Sequence, residues 1–427
     1  MYRFGAFVAI SLPALVLAQS ATTVPESKVQ PVTDSVHGVQ ITDDYRWLEG
    51  DNSVEGQWGK STDEVSTWTD YQNAYTRSVL DSLPGRKALE EKLRPLMEVG
   101  SISAPTMRAD RYFYSKREGS ENQAKVYMRK GVRGEPKVLL DPAAMDATGL
   151  VTVSWSVPNK DGTLLAYGTY RAGDENSTLH IMNVDSGEKS PVEIAGKVSS
   201  IDWLPDSSGF IYRNLADIKN PYSGQVKYHA IGKAKPDGSE DPVLFRQYTP
   251  EENEKLATTY GPGAGLSDDG KWAVFSYYTD TRNNDLWVVN FADYLRTGTL
   301  EKKVVIVGEK AQSGGPIVGD TMYMQTTFGA PNGRIVKVNL NHPERENWKE
   351  LVAERKDAVI EGVSAAKDVL VVDYLTKAST SIELVNPESG KVSPLTLPGI
   401  GSAGLSTEQG RSEAYLSFTS FNSPQTI

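Results

Sequence analysis

Four histidines supply the imidazoles that could act as general bases near neutral pH: His37, His180, His229 and His342. A serine hydrolase needs a hydroxyl that such a base activates and a carboxylate that orients the base. In α/β-hydrolases the serine lies on a Gly-x-Ser-x-Gly elbow, and this string does not occur in the sequence. The nearest match, from Gly401 to Gly404, has the wrong spacing. The residues therefore do not predict a serine-hydrolase centre within this chain.

Other kinds of reactive site are excluded by residue type or by spacing. The chain has no cysteine, which excludes disulfides, zinc thiolate sites and a cysteine nucleophile, and no two histidines have metal-binding spacing. The string from Asp174 to Thr178 begins like a calcium loop but lacks the glycine and the terminal glutamate. Residues 261–265 are glycine-rich but lack dinucleotide-binding spacing and a following helix, so they are interpreted as a turn between repeat units.

The individual histidines and acidic pairs favour structural interpretations. His37 is expected to order an N-terminal segment by hydrogen bonding, and His180 lies in the middle of a predicted strand. The carboxylate pairs fall in polar turns, where solvated charge is the usual state: Glu251–Glu252 and Asp268–Asp269. We therefore predict no catalytic, cofactor-binding or metal-binding residue in this chain, and no cofactor.

The composition indicates an acidic globular protein. Its net charge of −10 and its pI of about 5.2 repel phosphate backbones, so nucleic acid is not an expected partner. Of its 427 residues, 39% are hydrophobic and 23% charged. A chain of this length buries enough apolar surface to fold without disulfides.

A targeting signal is predicted at the N-terminus. Arg3 precedes an apolar run from Phe4 to Leu17, and Val16 and Ala18 form the small-residue pattern of a cleavage site. A membrane span needs about 20 apolar residues, and this run is shorter. A signal peptide over residues 1–18, cleaved after Ala18, is therefore favoured over an anchor, and the chain is expected to be secreted and not membrane-bound.

One sequon for N-glycosylation occurs, at Asn176-Ser177-Thr178. Such a triplet is an acceptor in proteins that pass through a secretory pathway. A single sequon also arises by chance, so use of Asn176 and chance occurrence both remain open.

Two helices are predicted after the polar N-terminal region. Ser61 and Glu64 have the spacing of a capping box. Apolar residues then follow at three- and four-residue steps from Val65 to Val79, a stripe that is more often core packing than a ligand surface. A second, shorter helix carries three leucines: Leu89, Leu93 and Leu96. Residues 19–85 are interpreted as an N-terminal arm.

After about residue 100, short β-rich runs bounded by turn residues replace the helical period. The runs are Arg111–Tyr114, Leu164–Tyr167, Phe210–Tyr212, Trp272–Phe275, Met322–Met324, Val369–Val372 and Tyr415–Phe418. Their spacing of roughly 45 to 50 residues is that of propeller blades. Aspartate or asparagine and glycine precede them in similar turns, and the polar stretch from Asn214 to Asn253 is interpreted as long surface loops on one blade.

The predicted fold class is therefore mainly β. It is a seven-bladed β-propeller over residues 86–427, with an incomplete last blade, preceded by a short helical N-terminal arm. Tyr415 to Phe421 look like the opening of a blade, and the sequence stops at Ile427. Because a half-blade would expose a strand edge, we expect the chain to be a fragment of a longer one.

A family resemblance rests on residues 31–49, where His37-Gly38 precedes Asp43-Asp44-Tyr45-Arg46-Trp47-Leu48-Glu49. This block resembles the N-terminal signature of the prolyl oligopeptidase family, although Asp44 stands where the family usually has proline. The similarity continues over about residues 29–427. Examples are Leu139-Leu140-Asp141-Pro142, Gly265-Leu266-Ser267-Asp268-Asp269-Gly270 and Phe418-Thr419-Ser420-Phe421-Asn422-Ser423-Pro424.

The resemblance implies a two-part enzyme in which the propeller caps an α/β-hydrolase domain with a Ser-Asp-His triad. The arm would pack on that hydrolase domain, which these 427 residues are expected to lack. The propeller would then be the substrate-gating part of a secreted serine endopeptidase that cleaves short peptides after proline, inactive without its partner domain. A cysteine among the family's substrate-facing residues has no counterpart here, so no substrate contact is transferred.

A second hypothesis is a stand-alone propeller that binds peptides or proteins without catalysis. The apolar stripe from Val65 to Val79 discriminates between the two. In an independent propeller this stripe would have no covering partner, and its exposure would promote aggregation.

Overall fold

The computed structural model describes residues 23–53 and 59–427. The signal peptide predicted for residues 1–18, and its cleavage site after Ala18, lie outside the described residues. The chain divides into two compact units between Glu98 and Val99. The helix Arg86–Met97, which lies in the range assigned to the propeller from sequence, is grouped with the first unit.

The first unit contains a hairpin and two helices. Its elements are β1 (Val32–Val36), β2 (Val39–Asp43), a 3-10 turn (Arg46–Glu49), α1 (Asp63–Ser82) and α2 (Arg86–Met97). His37, with φ 51°, and Gly38, with φ 80°, form the two-residue turn of the hairpin, which suits the twist of the flanking strands. His37 is exposed at this turn.

Arg46 connects the hairpin to the turn that follows it. Its guanidinium donates to the carboxylates of Asp34, at 2.6 Å, and Asp43, at 3.0 Å. Asp43 also accepts the backbone N–H of Tyr45 at 2.8 Å. This N–H, and then the Arg46 side chain, lower the pKa of Asp43. Tyr45 and Arg46 of the motif therefore have a structural role: their bonds to Asp34 and Asp43 join the hairpin to the turn that follows.

Trp47 connects the same turn to α1. Its indole N–H donates to the carbonyl of Lys28 at 2.8 Å, and its ring meets the Trp68 ring edge-on at 6.2 Å. Trp68 in turn donates to the hydroxyl of Ser27 at 2.9 Å. Trp47 and Trp68 thus hold the extended segment around Ser27 and Lys28 against α1.

The capping box predicted at Ser61 is wrong. Thr62 has the extended backbone that an N-cap requires, and its hydroxyl accepts the N–H of Val65 at 3.2 Å. Glu64 instead pairs with Lys28 at 2.9 Å. The helix begins at Asp63, so its N-cap is Thr62, one residue later than predicted.

Residues 101–426 form seven antiparallel sheets, which are the blades of a propeller. Blade 1 contains β3 (Ser101–Ile102), β4 (Thr106–Arg108), β5 (Arg111–Arg117), β6 (Lys125–Lys130) and β7 (Lys137–Leu140). Blade 2 contains β8 (Val151–Pro158), β9 (Leu164–Arg171), β10 (Thr178–Asn183) and β11 (Lys189–Ile194). Blade 3 contains β12 (Ile201–Trp203), β13 (Gly209–Leu215), β14 (Gly224–Ala230) and β15 (Val243–Arg246). Blade 4 contains β16 (Gly261–Leu266), β17 (Trp272–Tyr278), β18 (Asn284–Asn290) and β19 (Lys303–Ile306).

Blades 5 and 6 have the same up-and-down order. Blade 5 contains β20 (Ser313–Gly314), β21 (Ile317–Val318), β22 (Thr321–Thr326), β23 (Arg334–Asn339) and β24 (Lys349–Val352). Blade 6 contains β25 (Val359–Ala366), β26 (Val369–Thr376), β27 (Ser379–Val385) and β28 (Val392–Pro394). Blade 7 contains three strands in the described chain: β29 (Ser402–Ser406), β30 (Tyr415–Ser420) and β31 (Ser423–Thr426). The seven blades and the incomplete last one confirm the predicted fold class.

Short helices lie between the strands: α3 (Pro142–Met145), α4 (Pro250–Asn253), α5 (Phe291–Thr297) and a 3-10 turn (Arg345–Asn347). Two predictions about connections are wrong. Residues 261–265 are part of strand β16 and not a turn, and the stretch from Asn214 to Asn253 contains β14, β15 and α4. Residues 261–265 lack the local apolar pattern of a strand, so pairing with β17 decides their conformation. In the other stretch the short patterns of β14 and β15 are present, but long polar connections surround them.

The predicted turn chemistry is confirmed at three hairpins. The carboxylates of Asp161, Asp206 and Asp269 each accept a backbone N–H two residues later, at 2.9 to 3.0 Å. At Gly209, however, the expected positive φ is absent, and Ser207 adopts it with φ 59°. A side chain at Gly209 would approach the carbonyl of His229 to 2.5 Å, so glycine is required there for close strand approach.

Blades 2 to 5 bury apolar side chains on both faces, each face against a neighbouring blade. On β9, Ala166 packs into the core between blades 2 and 3. Leu165 and Tyr167, on the opposite face of the same strand, pack into the core between blades 1 and 2. Similar clusters of buried apolar residues join blades 3 to 6. Alternate residues of one strand thus belong to different seams, as the pleat requires.

Polar contacts close the ring between blades 7 and 1. Tyr112 donates its hydroxyl to Glu413 at 2.8 Å and meets the Tyr415 ring edge-on at 6.0 Å. The Ser406 hydroxyl donates to the carbonyl of Pro105 at 2.8 Å. Each blade takes its strands from one continuous stretch of chain, so side chains and not a shared strand join these two blades.

Blade 3 contains a fully buried carboxylate. Asp241 and His229 have side chains that are 0% and 1% exposed, and Asp241 Oδ2 lies 2.9 Å from His229 Nδ1. The buried Tyr212 hydroxyl donates to the same oxygen at 2.8 Å, and the nearby carboxylate adds to burial in raising the pKa of Tyr212. The pair fixes the connection between β14 and β15 onto the sheet.

Replacement of Asp241 by alanine is expected to lower the free energy of unfolding by about 3 kcal/mol, because it leaves two buried polar groups without an acceptor. Denaturation by urea, followed by tryptophan fluorescence, measures the change. Glu240→Ala is the matched control, since its side chain is 64% exposed, and it is expected to cost less than about 0.5 kcal/mol. Equal losses in both variants would contradict a specific role for Asp241.

Candidate functional site

The histidines lie apart, and the two that are buried or half-buried, His180 and His229, have structural partners. His180 Nε2 lies 3.0 Å from the hydroxyl of Thr169, and its Nδ1 lies 3.9 Å from Glu193, beyond hydrogen-bonding distance. Burial lowers the pKa of His180. This row lies across three neighbouring strands of blade 2. It resembles a catalytic relay in order only, because the carboxylate does not orient the imidazole.

His229 is paired with the buried Asp241, and His342 is exposed in a loop of blade 5. Among residues 23–53 and 59–427, no group of three or more histidine, aspartate or glutamate side chains could hold a metal ion. Within the same residues, no helix is both long and apolar enough to span a bilayer. The prediction that this chain has no catalytic or metal-binding residue remains a prediction.

A cluster of charges that the sequence analysis did not predict lies near the propeller axis. In an up-and-down blade, the turns between first and second strands all open on one face, here called the turn face. Four such turns contribute a charged residue: Arg108 of blade 1, Lys160 of blade 2, Asp268 of blade 4 and Glu408 of blade 7. We call this set the axial cluster.

Lys160 and Glu408 hold the axial cluster together. The Lys160 ammonium pairs with Asp268 and lies 3.1 Å from Glu408 Oε1. The other oxygen of Glu408 pairs with Arg108. The side chains of Arg108 and Glu408 are only 20% and 13% exposed. Partly desolvated pairs are screened less by salt than surface pairs, so the cluster is a strong non-covalent bridge across the turn face.

The turn between β29 and β30 reaches blades that are not its neighbours. Gln409 donates to the carbonyl of Ile317 in blade 5 at 2.9 Å, while Glu408 contacts Lys160 in blade 2. Thr407 also bonds to Ser364 in blade 6 at 3.1 Å. A segment that touches opposite sides of a ring must cross the axis, so this turn bars the channel at the turn face.

Cavities line the inner strands behind this bar. One of about 110 Å³ is lined by Arg108, Lys160 and Asp268 together with Asp202. A second, of about 320 Å³, extends along the inner strands of blades 4 and 5 to Gln409. The propeller axis is therefore hollow behind the axial cluster.

A further cavity of about 240 Å³ lies in the seam between blades 3 and 4, and we call it the seam pocket. Its lining includes Asp202, Arg213, Tyr260 and Tyr278. The rings of Tyr260 and Tyr278 meet edge-on at 5.6 Å. The pocket therefore combines two opposite charges with an aromatic pair.

Sequence patterns gave partial signals for these residues. Asp268 was interpreted as solvated charge, but its pairing with Lys160 makes it part of the axial cluster. Lys160 lies in a predicted turn. Arg108, Asp202 and Glu408 carry no local pattern that distinguishes them from surface charge. Asn176 lies between β9 and β10, and its glycosylation remains a prediction.

Comparison with known proteins identifies the architecture. The sequence matches the family model described as "Prolyl oligopeptidase, N-terminal beta-propeller domain" over residues 25–427. A prolyl endopeptidase of Elizabethkingia meningoseptica is 28% identical over 97% of this chain and 56% of its own length. A dual function macrocyclase-peptidase of Amanita bisporigera is 27% identical over 91% of this chain and 55% of its own length.

Solved structures give the same result. A prolyl endopeptidase structure superposes with a TM-score of 0.83 at 31% identity and covers 94% of this chain and 57% of its own. Prolyl oligopeptidase B of Galerina marginata, bound to a 35-residue substrate, superposes with a TM-score of 0.80 at 23% identity, which shows the shared fold. The chain spans about half the length of the relatives that it matches.

Replacement of Glu408 by glutamine is expected to loosen the turn that bars the channel, because Arg108 and Lys160 then lose their shared carboxylate. Amide hydrogen exchange within residues 405–411 should become about tenfold faster, which corresponds to the loss of a charge-assisted hydrogen bond. Glu388→Gln removes the same charge from an 86% exposed side chain and should leave this exchange unchanged. Unaltered exchange in Glu408→Gln would show that the axial cluster does not hold the turn.

Proposed function

Because the chain belongs to the prolyl oligopeptidase family, as its N-terminal β-propeller, we propose that it is the substrate-gating part of a secreted serine endopeptidase that cleaves short peptides after proline. The observation that carries the gating role is the turn of residues 407–411, which crosses the channel and is held by the axial cluster. An opening closed by charged side chains excludes folded proteins from the space behind it.

The proposed catalytic triad of serine, aspartate and histidine belongs to an α/β-hydrolase domain outside these residues. Two features support this. The two buried or half-buried imidazoles have structural partners, Asp241 for His229 and Thr169 for His180. The relatives that carry peptidase names are almost twice as long as the stretch that matches this chain.

Exposed apolar groups support docking of such a domain on the face opposite the turn face. This face carries the connections between second and third strands and between successive blades. It presents Ile400 and Phe421, which are 88% and 115% exposed. Large apolar side chains grouped on one face usually mark an interaction surface. We propose that the hydrolase domain covers them.

The two helices of the arm also expose apolar side chains to water. On α2, Leu89, Leu93 and Leu96 are 56%, 46% and 65% exposed, and Met97 is 74% exposed. On α1, Tyr71 of the predicted apolar stripe is 63% exposed. We propose that the hydrolase domain buries this surface too, which disfavours the alternative of a stand-alone binding propeller because such a protein would leave it in water.

The 427-residue chain is expected not to hydrolyse a blocked chromogenic peptide with proline before the scissile bond. Coexpression with the domain encoded downstream of codon 427 should yield turnover that a serine-directed phosphonofluoridate removes. Activity is measured by release of the chromophore, with an otherwise identical alanine peptide as the specificity control. Turnover by the 427-residue chain alone, abolished by the phosphonofluoridate, would contradict the assignment of the triad to another domain.

Secretion is the second part of the proposal, and it rests on the sequence pattern from Arg3 to Ala18. Expression in a secretory host is expected to release a protein that begins at Gln19, as determined by mass spectrometry of its N-terminal peptide. Replacement of the apolar run by a polar one should retain the chain in the cytosol. An intact Met1 on chain recovered from the cytosol would contradict secretion.

A further inference from the structure

Asp202 is a carboxylate in an unusual place, on the innermost strand of blade 3. It lies on β12 and lines both the seam pocket and the small cavity behind the axial cluster. Its Oδ2 lies against β16 of blade 4, where it accepts the backbone N–H of Leu266 at 3.2 Å. Burial raises the pKa of Asp202, as expected where water is largely excluded.

The carboxylate is poorly satisfied by the chain. An ionised carboxylate can accept about four hydrogen bonds, and within the described chain Asp202 accepts one long bond, from Leu266. The positive charge of Arg108 acts on it and opposes the effect of burial on its pKa. However, the Arg108 guanidinium is occupied by Glu408 and by its own neighbouring carbonyl at Met107. Burial disfavours the ionised form of a carboxylate without a paired cation, so a cation that enters the pocket would be attracted to Asp202 and would stabilise its charge.

Arg213, the cation of the seam pocket, is committed to the wall. Its Nε donates to the carbonyl of Pro262 at 2.8 Å and its Nη2 to the carbonyl of Tyr260 at 3.3 Å. Its guanidinium also lies over the Tyr260 ring at 5.3 Å. These contacts hold Arg213 against the wall and commit its donors to backbone carbonyls, so the group with unused hydrogen-bonding capacity toward a ligand is the carboxylate of Asp202.

The remaining lining suits a cation with an apolar stem. Tyr260 and Tyr278 are 70% and 36% exposed, and the negative faces of such rings attract ammonium and guanidinium groups. Pro262 and Ala264 supply apolar surface alongside them. The volume of about 240 Å³ is below the range of about 300 to 1,000 Å³ typical of sites for whole small molecules. The pocket therefore fits one side chain.

We propose that the seam pocket binds the lysine or arginine side chain of a short peptide, with Asp202 as its counter-ion and the two tyrosines around its stem. This deepens the proposed function, on which it rests for the peptide nature of the ligand, and it names a substrate class: proline-containing peptides with a nearby basic residue. Binding requires only blades 3 and 4, so it is testable without the hydrolase domain.

Isothermal titration calorimetry of the 427-residue chain with two blocked tetrapeptides, Gly-Lys-Ala-Pro and Gly-norleucine-Ala-Pro, tests the proposal. The two differ only in the charged end of one side chain. The lysine peptide is expected to bind at least about tenfold more tightly, as for a charge-assisted hydrogen bond in a desolvated site. Equal dissociation constants, or no detectable binding of either peptide, would overturn the proposal.

Three variants locate the effect. Asp202→Asn should abolish the preference for lysine while leaving the norleucine affinity unchanged, and Tyr260→Leu should weaken lysine binding by about threefold. Glu388→Gln removes a remote, exposed charge and should retain the full preference. A preference that persists in Asp202→Asn would assign binding to another site.

A peptide of opposite charge covers the case in which the Asp202 variant does not fold. If Asp202→Asn fails to fold, as judged by circular dichroism, a third peptide with glutamate in place of lysine replaces it. Tighter binding of the glutamate peptide by the unaltered chain would make Arg213 the recognition residue and overturn the proposal. The calorimetric measurements do not depend on peptide cleavage by the two-domain protein. A failure of the lysine-binding proposal can therefore be told apart from a failure of the proposed function.

Discussion

Packing of blade against blade is the interaction on which the rest of the structure depends. An isolated four-stranded sheet leaves apolar side chains on both faces in water, and a ring of sheets removes them from water without a central core. Neighbouring residues of β9 show the arrangement, since Leu165 and Ala166 belong to the cores of different seams. The axis of such a ring is hollow, and the small cavities of this protein lie there and between its blades.

Blade 7 differs from the others in how it is attached. Clusters of buried apolar side chains connect blades 1 to 6 in the described chain. In the described chain, blade 7 is attached largely by hydrogen bonds and ion pairs, such as those of Tyr112 with Glu413 and of Arg108 with Glu408. Polar contacts have strict geometry and can exchange with water. The blade that closes the ring thus also supplies the turn that crosses its channel.

The axial cluster and the seam pocket use charge differently. In the cluster, Lys160 and Glu408 neutralise each other and bridge blades, so the charges stabilise a closed opening. In the seam pocket, Arg213 is bound to backbone carbonyls while Asp202 accepts one backbone N–H. Opposite charges pair with each other in the first site, whereas in the second the Arg213 donors are used by backbone carbonyls and the Asp202 carboxylate keeps unused acceptor capacity. Both support the proposed role of the propeller in gating peptides.

The sequence by itself determined one central strand of each blade, the turns before three of these strands, and the blade repeat. Asp161 and Asp269 bond backbone groups only two residues away, so their roles follow from short stretches of chain. Tertiary structure decided the rest. Asp241 lies in a stretch that the sequence indicated as surface loops, yet it is buried beneath β13 and β14 by its bonds to Tyr212 and His229.

The axial cluster could not be predicted for the same reason. Arg108 and Glu408 are 300 positions apart, and nothing near either residue indicates the other. They meet because a closed ring brings its first and last blades together and directs the same turn of every blade toward one axis. Local side-chain patterns determine each sheet, whereas ring closure determines which charges face each other across the channel.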